Sequence, residues 1–231
     1  MKHIPNLFTL LNLVFGCIAI VCILQTGQAI VYVDKEGVMS WDLPEKIAVG
    51  SFFIFAAALV DFLDGFVARL FKATSAMGKQ LDSLADVVSF GVAPGLILYQ
   101  LLRTAFAKEA EGLDISVAAL APAFLVPCAA AWRLAKFNID ESQQYSFKGI
   151  PTPAAGITIA SLPLIVFYQQ FNLQNLFFNQ WVIYAIILLL SWLMVSNLPL
   201  LSLKFRDKTI RGNLPLVILA AITILAAPVL K

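Results

Sequence analysis

The sequence has few charged residues and almost no histidine. Asp, Glu, Lys and Arg make up 13% of its 231 residues, whereas 60% are hydrophobic and the mean hydropathy is +0.86. Because a water-soluble domain carries about a quarter charged residues, this composition excludes one and indicates that a lipid bilayer surrounds the chain. Because His3 is the one histidine of the sequence, this chain cannot form a zinc site from several histidines.

Basic runs and paired cysteines are also missing. The net charge is only +2, and no run of Lys and Arg suggests that the chain binds nucleic acid. The three cysteines, Cys17, Cys22 and Cys128, lie in apolar stretches without the spacing of a metal site or a redox motif. The sequence therefore predicts that all three are buried, inert thiols.

Seven apolar segments are long enough to cross a hydrocarbon core of about 30 Å as helices. No linker or break in composition divides the chain, so residues 1–231 are predicted to form a single transmembrane domain. The fold class is therefore all-α, a polytopic membrane helix bundle of six spans and a seventh, C-terminal span that could instead be a peripheral helix. The seven segments are 7–26, 47–72, 83–103, 115–137, 151–170, 179–200 and 213–230.

The distribution of Lys and Arg predicts which side of the membrane each loop faces. With a cytoplasmic N-terminus, eleven of these residues fall on the cytoplasmic side and five outside, in agreement with the positive-inside rule. This orientation brings the polar stretches 61–86, 133–150 and 196–212 to the cytoplasmic side. The sequence thus predicts an integral protein of the cell (inner) membrane whose active site faces the cytoplasm.

Four aspartates lie close together at a predicted membrane boundary. Asp61 and Asp64 are one helical turn apart in the second span, and Asp82 and Asp86 are one turn apart at the start of the third. Since a short loop joins these spans, we expect both pairs at the same end of a helical hairpin, where they can face each other. A solvated loop face could explain Asp82, but not Asp61 and Asp64 inside an apolar run.

Carboxylates packed near hydrocarbon are costly unless protons or cations offset their charge. Arg69 alone cannot balance four negative charges, so either several aspartates are protonated or a divalent metal is bound. Oxygen ligands suit Mg²⁺, Mn²⁺ or Ca²⁺, and two ions that share carboxylates are a known device for phosphoryl transfer. Gly65 and Gly78 beside the carboxylates could let a ligand approach the backbone, or could simply permit close helix packing.

The four aspartates belong to a longer pattern with fixed spacing. It reads D-x-x-D-G-x-x-A-R from Asp61 to Arg69 and, after eight residues, G-x-x-x-D-x-x-x-D from Gly78 to Asp86. At all eight fixed positions this pattern resembles the signature of the CDP-alcohol phosphotransferases, also called CDP-alcohol phosphatidyltransferases. The resemblance implies an integral membrane enzyme with a six-helix core, usually a homodimer, that displaces CMP from a CDP-linked donor with an alcohol.

Further stretches narrow the resemblance. The N-terminal P-N-x-x-T-x-x-N of residues 5–12 resembles the family's first motif, although its polar stripe could also serve only helix capping and interhelical hydrogen bonds. Residues 86–94, 133–138, 149–153 and 195–197 resemble the phosphatidylserine synthase branch, with Lys136 where arginine is expected and Gly156 where alanine is common. This branch implies transfer of the phosphatidyl group of CDP-diacylglycerol to L-serine.

The resemblance also suggests roles for single residues. It implies that the aspartates hold one or two Mg²⁺ or Mn²⁺ ions, and we predict that Asp86 is the general base for the serine hydroxyl. Because the serine carboxylate needs a cation, we predict that it binds Arg133, with Asn138 as helper; Arg133 could instead only anchor a span end. The predicted metal ligands are Asp61, Asp64, Asp82 and Asp86. The predicted CDP-diacylglycerol contacts are Asn6, Thr9, Gly65, Arg69, Ser75 and Gly78.

Two alternative functions remain open. Within the family, the acceptor could be glycerol 3-phosphate, an inositol phosphate or choline, although a phosphorylated acceptor would need several basic residues near the site. In another class, the aspartates could be the transit site of a divalent-cation transporter, but the chain has no internal repeat. The expected partners are CDP-diacylglycerol, L-serine, membrane lipids and a second copy of the chain, and no nucleic acid.

Overall fold

The computed structural model describes residues 4–24, 31–33, 39–41, 45–70, 75–107, 115–139, 149–168 and 174–198. Over these residues the regular secondary structure is helical except for one antiparallel hairpin of two short strands, β1 (Val31–Val33) and β2 (Met39–Trp41). The seventh predicted span, 213–230, lies outside the described residues. The helices are α1 (Ile4–Leu24), α2 (Glu45–Leu70), α3 (Ala76–Asp86), α4 (Ala93–Ala107), α5 (Val117–Leu120), α6 (Leu125–Ile139), α7 (Thr152–Phe167), α8 (Gln174–Phe177) and α9 (Gln180–Val195).

Four stretches of helix are long and apolar enough to cross a bilayer, which confirms the prediction of a polytopic helical membrane protein. Two of them are composite, because a π-helical turn at Val87–Val92 joins α3 to α4 and a 3₁₀ turn at Ala121–Phe124 joins α5 to α6. The α7 and α9 helices are also apolar but have 16 residues each, about 24 Å, and are shorter than predicted. The four stretches are Asn6–Leu24, Lys46–Val67, Ala76–Ala107 and Val117–Ile139.

The third span begins at Ala76, seven residues before the predicted boundary at 83. The prediction placed the start of the span where the apolar run begins, and the first turns of α3 precede that run because they contain polar residues. Ser75 caps this helix, since its Oγ accepts a hydrogen bond from the backbone N–H of Gly78 at 2.9 Å. The earlier start places Asp82 in the middle of a regular helix, one turn before Asp86.

Helix α1 packs along α2 and also contacts α3 and the π turn, so it packs against both elements that carry the aspartates. Glycine permits the closest approach: a Cβ at Gly50 of α2 would lie 2.7 Å from Ile23 Cγ1 of α1. The buried amide of Gln100 adds a polar tie from α4, because its Nε2 donates to the Ile23 carbonyl at 3.0 Å. Tight packing and buried hydrogen bonds therefore fix α1 against its neighbours.

The polar ends of several helices gather at one end of the bundle. Asn138 Nδ2 donates to Ser83 Oγ at 2.7 Å and so ties α6 to α3. Lys136 Nζ donates to Asn197 Oδ1 at 2.8 Å and ties α6 to the segment after α9. These contacts confirm that the described parts of the polar stretches 61–86, 133–150 and 196–212 lie at the same end.

The prediction of buried cysteines was wrong for two of the three. Cys17 and Cys128 are exposed on the surfaces of α1 and α6, whereas Cys22 is half-buried. A helix in a bilayer can present apolar side chains outward, because lipid is as apolar as a protein core. An apolar stretch of such a helix therefore does not by itself indicate burial within the protein.

Candidate active site

Three aspartates converge between α2 and α3. Asp61, Asp82 and Asp86 each contribute one carboxylate oxygen to a group in which all three oxygens lie within 4.8 Å of one another. Asp86 is buried with 6% of its surface exposed, and the other two are half-buried. The two helices thus bring their acidic faces together, as the one-turn spacing in each pair predicted.

Asp64 lies outside this group of three and faces α1. Its Oδ2 accepts a hydrogen bond from Thr9 Oγ1 at 2.5 Å, and the residue is buried with 7% exposed. Its other oxygen, Oδ1, is buried and has no hydrogen-bond partner among the described residues. The contact with α1 therefore fixes the Asp64 side chain and leaves one oxygen able to accept a further bond.

The oxygens of this cluster fit a divalent cation. At separations below 5 Å, each pair of ionised carboxylates repels by roughly 3–4 kcal/mol at an effective dielectric constant near 20. Three hard oxygen donors from separate side chains, with an unpaired Asp64 oxygen nearby, are the ligand set that Mg²⁺ or Mn²⁺ prefers. A divalent ion bound to the group would convert this repulsion into attraction.

Arg133 of α6 approaches the cluster closely enough for its charge to interact with that of Asp86. Its Nη1 donates to Thr152 Oγ1, in the first turn of α7, at 3.1 Å. Its Nε is buried and has no hydrogen-bond partner in the described part of the chain. Arg133 is therefore held in place by α7 and still has donor capacity for an anionic group.

Asn138, the predicted helper of Arg133, points to a different neighbour. Its Nδ2 is bound to Ser83 and its backbone oxygen accepts from Lys79 Nζ at 3.1 Å, so both contacts go to α3. Arg133 and Lys136 instead share a small cavity with Ser196 and Asn197 at the end of α9. The structure thus places Arg133 beside residues 195–197, V-S-N. A role of Asn138 in binding serine stays a prediction.

Three of the predicted nucleotide contacts meet at the start of α3. A Cβ at Gly78 would lie 3.0 Å from Ser75 Oγ and 3.2 Å from Asn6 Oδ1, so Asn6 of α1 reaches the first turn of α3. Thr9 lies one turn further along α1, at Asp64. These residues border the aspartates on the side of α1.

The other two predicted nucleotide contacts lie on α2. Gly65 follows Asp64, and the position that a Cβ would take there has no atom within 4 Å among the surrounding described residues. The Arg69 side chain is outside the described part of the structure. Packing against the described residues therefore does not explain why position 65 is glycine.

Comparison with known proteins identifies the family of the chain. The family model described as CDP-alcohol phosphatidyltransferase matches residues 2–197, which include every described helix. The chain belongs to the CDP-alcohol phosphatidyltransferase family. Membership makes it an integral membrane enzyme, in agreement with its long apolar helices.

Several curated relatives of this family member carry the name CDP-diacylglycerol–serine O-phosphatidyltransferase. The protein from Helicobacter pylori is 37% identical over 182 residues, which are 77% of this chain and 69% of the relative. The one from Bacillus subtilis is 32% identical over 164 residues, 70% of this chain and 76% of the relative. The one from Saccharomyces cerevisiae is 34% identical over 163 residues, 65% of this chain and 50% of the relative.

Two side-chain contacts at the site were not predicted from the sequence. Asn12 Nδ2 donates to Asp86 Oδ1 at 3.3 Å, and Thr152 holds Arg133. The sequence nevertheless draws attention to both residues. Asn12 belongs to the polar stripe of residues 5–12, and Thr152 belongs to residues 149–153, G-I-P-T-P, which resemble the family. Their partners are distant in sequence, so neither pairing follows from local spacing.

Proposed function

We propose that the chain transfers the phosphatidyl group of CDP-diacylglycerol to the hydroxyl of L-serine, giving phosphatidylserine and CMP. The observation that carries this proposal is the group formed by Asp61, Asp82 and Asp86 within the family's motif, beside the cation of Arg133. Relatives at 32–37% identity that are named for serine support the choice of acceptor.

The donor would lie with its acyl chains in the bilayer and its diphosphate at the aspartates. The side of the cluster that faces α1 offers hydroxyl and amide groups from Asn6, Thr9 and Ser75, and open space beside Gly65. A planar guanidinium at Arg69 suits a phosphate. Together with Gly78, these are the residues that we propose for the cytidine diphosphate.

Asp61, Asp82 and Asp86 would hold one Mg²⁺ or Mn²⁺ ion, and Asp64 would complete the ligands of this or a second ion. When bound, such an ion supplies the positive charge that stabilises the developing negative charge on the phosphates. The unpaired buried Oδ1 of Asp64 supports this assignment, because a buried acceptor without a partner is costly unless a ligand binds it.

The reaction is a displacement at phosphorus. The serine hydroxyl oxygen forms a bond to the phosphorus that carries diacylglycerol, and the bond from that phosphorus to the bridging oxygen breaks. CMP leaves with the bonding electron pair, and a carboxylate oxygen of Asp86 accepts the hydroxyl proton. Asp86 suits this role because it is the most buried of the three aspartates and because its charge interacts with that of Arg133.

Arg133 would bind the serine carboxylate. Its Nη1 contact with Thr152 orients the guanidinium, and the unpaired Nε supports an anionic ligand. Lys136 and Lys79 already donate to Asn197 and to the Asn138 carbonyl. Among the described side chains, Arg133 is the one cation near the aspartates that has an unpaired buried donor left for the acceptor, which suits a carboxylate better than a phosphate and favours serine over glycerol 3-phosphate or an inositol phosphate.

The proposed enzyme acts from the cytoplasmic face of the cell (inner) membrane, as a homodimer whose single domain comprises residues 1–231. The excess of Lys and Arg in the polar stretches at the active-site end supports this orientation. The homodimer follows from the resemblance to the family.

A panel of acceptors tests the proposal. Purified protein is incubated with CDP-diacylglycerol, Mn²⁺ and either L-serine, glycerol 3-phosphate, inositol phosphate or choline, and CMP release is measured. We expect release with serine, its loss in Asp61→Asn, and its retention in the control Asp140→Asn, whose aspartate is outside the motif. Faster release with another alcohol would contradict serine as the acceptor, and Mn²⁺ uptake into vesicles without any CMP release would favour a transporter.

A further inference from the structure

We infer that Asn12 of α1 is a positioning residue that fixes the carboxylate of Asp86 and determines which of its two oxygens faces the reacting hydroxyl. The inference deepens the proposed function and rests on it for the identity of that hydroxyl. It concerns a residue that the assignments above place in contact with neither the substrate nor a metal ion.

The hydrogen bond between Asn12 and Asp86 is buried. Asn12 has none of its surface exposed and Asp86 only 6%, and the bond runs from Asn12 Nδ2 to Asp86 Oδ1. The opposite amide orientation would set two oxygens against each other, so the carboxylate determines which end of the amide faces it. In the described part of the chain, this is the one hydrogen bond of the Asn12 side chain, and its Oδ1 is buried without a partner.

A second contact fixes Asn12 relative to the helix that carries Asp86. Ser89, three residues after Asp86 in the π turn, donates through Oγ to the Asn12 backbone oxygen at 3.1 Å. Gly16 makes this approach possible, because a Cβ there would lie 2.4 Å from Ser89 Oγ and 2.9 Å from its Cα. The backbone of α1 is thereby attached to the π turn, and the Asn12 amide reaches back from it to Asp86.

The chemistry of an amide suits this position. A neutral donor orders a carboxylate without cancelling its charge, whereas a lysine or arginine at the same place would compete with a metal ion for it. With Oδ1 held by Asn12, the other oxygen of Asp86 is the one directed to an ion or a proton. Donors that orient ligating groups in this way commonly change activity or metal affinity by roughly ten- to a hundredfold when they are removed.

The first test compares Asn12→Leu, which keeps the side-chain size but removes the donor, with Gln100→Leu. Gln100 is a matched control, because its buried amide also links a helix to α1 but lies away from the aspartates. We expect Asn12→Leu to lower kcat by roughly ten- to a hundredfold, with the KM for CDP-diacylglycerol within about threefold of wild type. A kcat reduced no more than in Gln100→Leu would overturn the inference.

The second test uses Asn12→Asp and Mn²⁺ alone, measured by electron paramagnetic resonance without substrate. A fifth carboxylate beside Asp86 should tighten Mn²⁺ binding several-fold while kcat still falls, whereas a side chain at position 12 that lies away from the Asp86 carboxylate would leave Mn²⁺ affinity unchanged. Unchanged affinity in a folded Asn12→Asp would overturn the inference, even where Asn12→Leu fails to fold. If wild type releases no CMP but Asn12→Asp alters Mn²⁺ binding, the proposed function fails and the contact between Asn12 and Asp86 stands.

Discussion

Packing against the described residues does not require glycine at position 65 of α2. Glycine inside a helix is less favourable than alanine by about 0.5–1 kcal/mol. The position of a Cβ at Gly65 is open for 4 Å around it among the described residues, in contrast to Gly50 of the same helix, which contacts α1. The absence of a side chain beside Asp64 is therefore explained best by a ligand that approaches the α2 backbone.

Gly65→Ala should consequently separate stability from activity. We expect an unchanged or slightly higher melting temperature in detergent, because alanine favours the helix, and at least a tenfold loss of CMP release, mainly through a higher KM for CDP-diacylglycerol. The control Gly50→Ala should do the reverse and lose stability, since its Cβ would lie 2.7 Å from Ile23 Cγ1. Full activity in Gly65→Ala would remove this residue from the substrate site.

Asp86→Asn tests the general base. The amide keeps the volume and can still accept the bond from Asn12, but it cannot take the hydroxyl proton. We expect turnover to be abolished while binding of CDP-diacylglycerol remains, as measured by CMP release and by equilibrium binding of the donor. A variant with more than a tenth of the wild-type rate would exclude Asp86 as the base, and loss of donor binding would make it chiefly a metal ligand.

Arg133→Ala tests the acceptor site. A guanidinium and a carboxylate form two charge-assisted hydrogen bonds, each worth about 1.5–3 kcal/mol, so we expect the serine KM to rise roughly ten- to a hundredfold or more. The KM for CDP-diacylglycerol should change little, and Arg133→Lys should be partly impaired. Arg103→Ala, on α4, serves as the control. An unchanged serine KM would return Arg133 to the role of a membrane-edge anchor.

Among the elements, the turn before α7 leads into the helix whose Thr152 contacts Arg133. Gly149 has a φ of +72°, and its N–H donates to the Leu198 carbonyl at 2.9 Å. A Cβ at Gly149 would lie within 2.9 Å of three carbonyl oxygens at the end of α9, those of Leu193, Met194 and Ser196. Glycine is required here both by the conformation and by the close approach.

Gly149→Ala should therefore destabilise the protein, since a left-handed conformation alone costs alanine roughly 1–2 kcal/mol. Gly149→Asn should be no better, because asparagine tolerates the positive φ but still carries the Cβ that meets the carbonyls. Thermal unfolding in detergent measures the stability, and the serine KM reports whether Thr152 still orients Arg133. A Gly149→Asn variant as stable as wild type would show that the conformation alone requires glycine.

The elements that the sequence predicted well are those with a local signal. Six apolar runs correspond to the six long or apolar helical stretches. The i, i+3 and i, i+4 spacings predicted that the two pairs of aspartates face each other, and three of the four, Asp61, Asp82 and Asp86, come together while Asp64 lies outside their group. The hairpin of β1 and β2 was missed. The π turn after Asp86 was also missed, because Val87–Val92 has the apolar pattern of an ordinary helix. The pairing of Asn12 with Asp86 depends on how α1 packs, which no local pattern records.

For the whole molecule, the site depends on helices that are far apart in the chain. The aspartates come from α2 and α3, and α1 supplies the hydrogen-bond donors of Asp64 and Asp86. The cation of Arg133 comes from α6 and is held by Thr152 of α7. All of these contacts lie within the part of the chain that matches the family, residues 2–197. Removal of a metal ion should therefore abolish activity without unfolding the bundle, whose helices pack through other contacts.

The most direct measurement is the conversion of labelled L-serine to phosphatidylserine by protein in vesicles that contain CDP-diacylglycerol, first in excess chelator and then after addition of Mn²⁺ or Mg²⁺. We expect no product in chelator, recovery with either ion, and one CMP released for each phosphatidylserine formed. Full formation of phosphatidylserine in excess chelator would contradict a metal-dependent transfer at Asp61, Asp82 and Asp86.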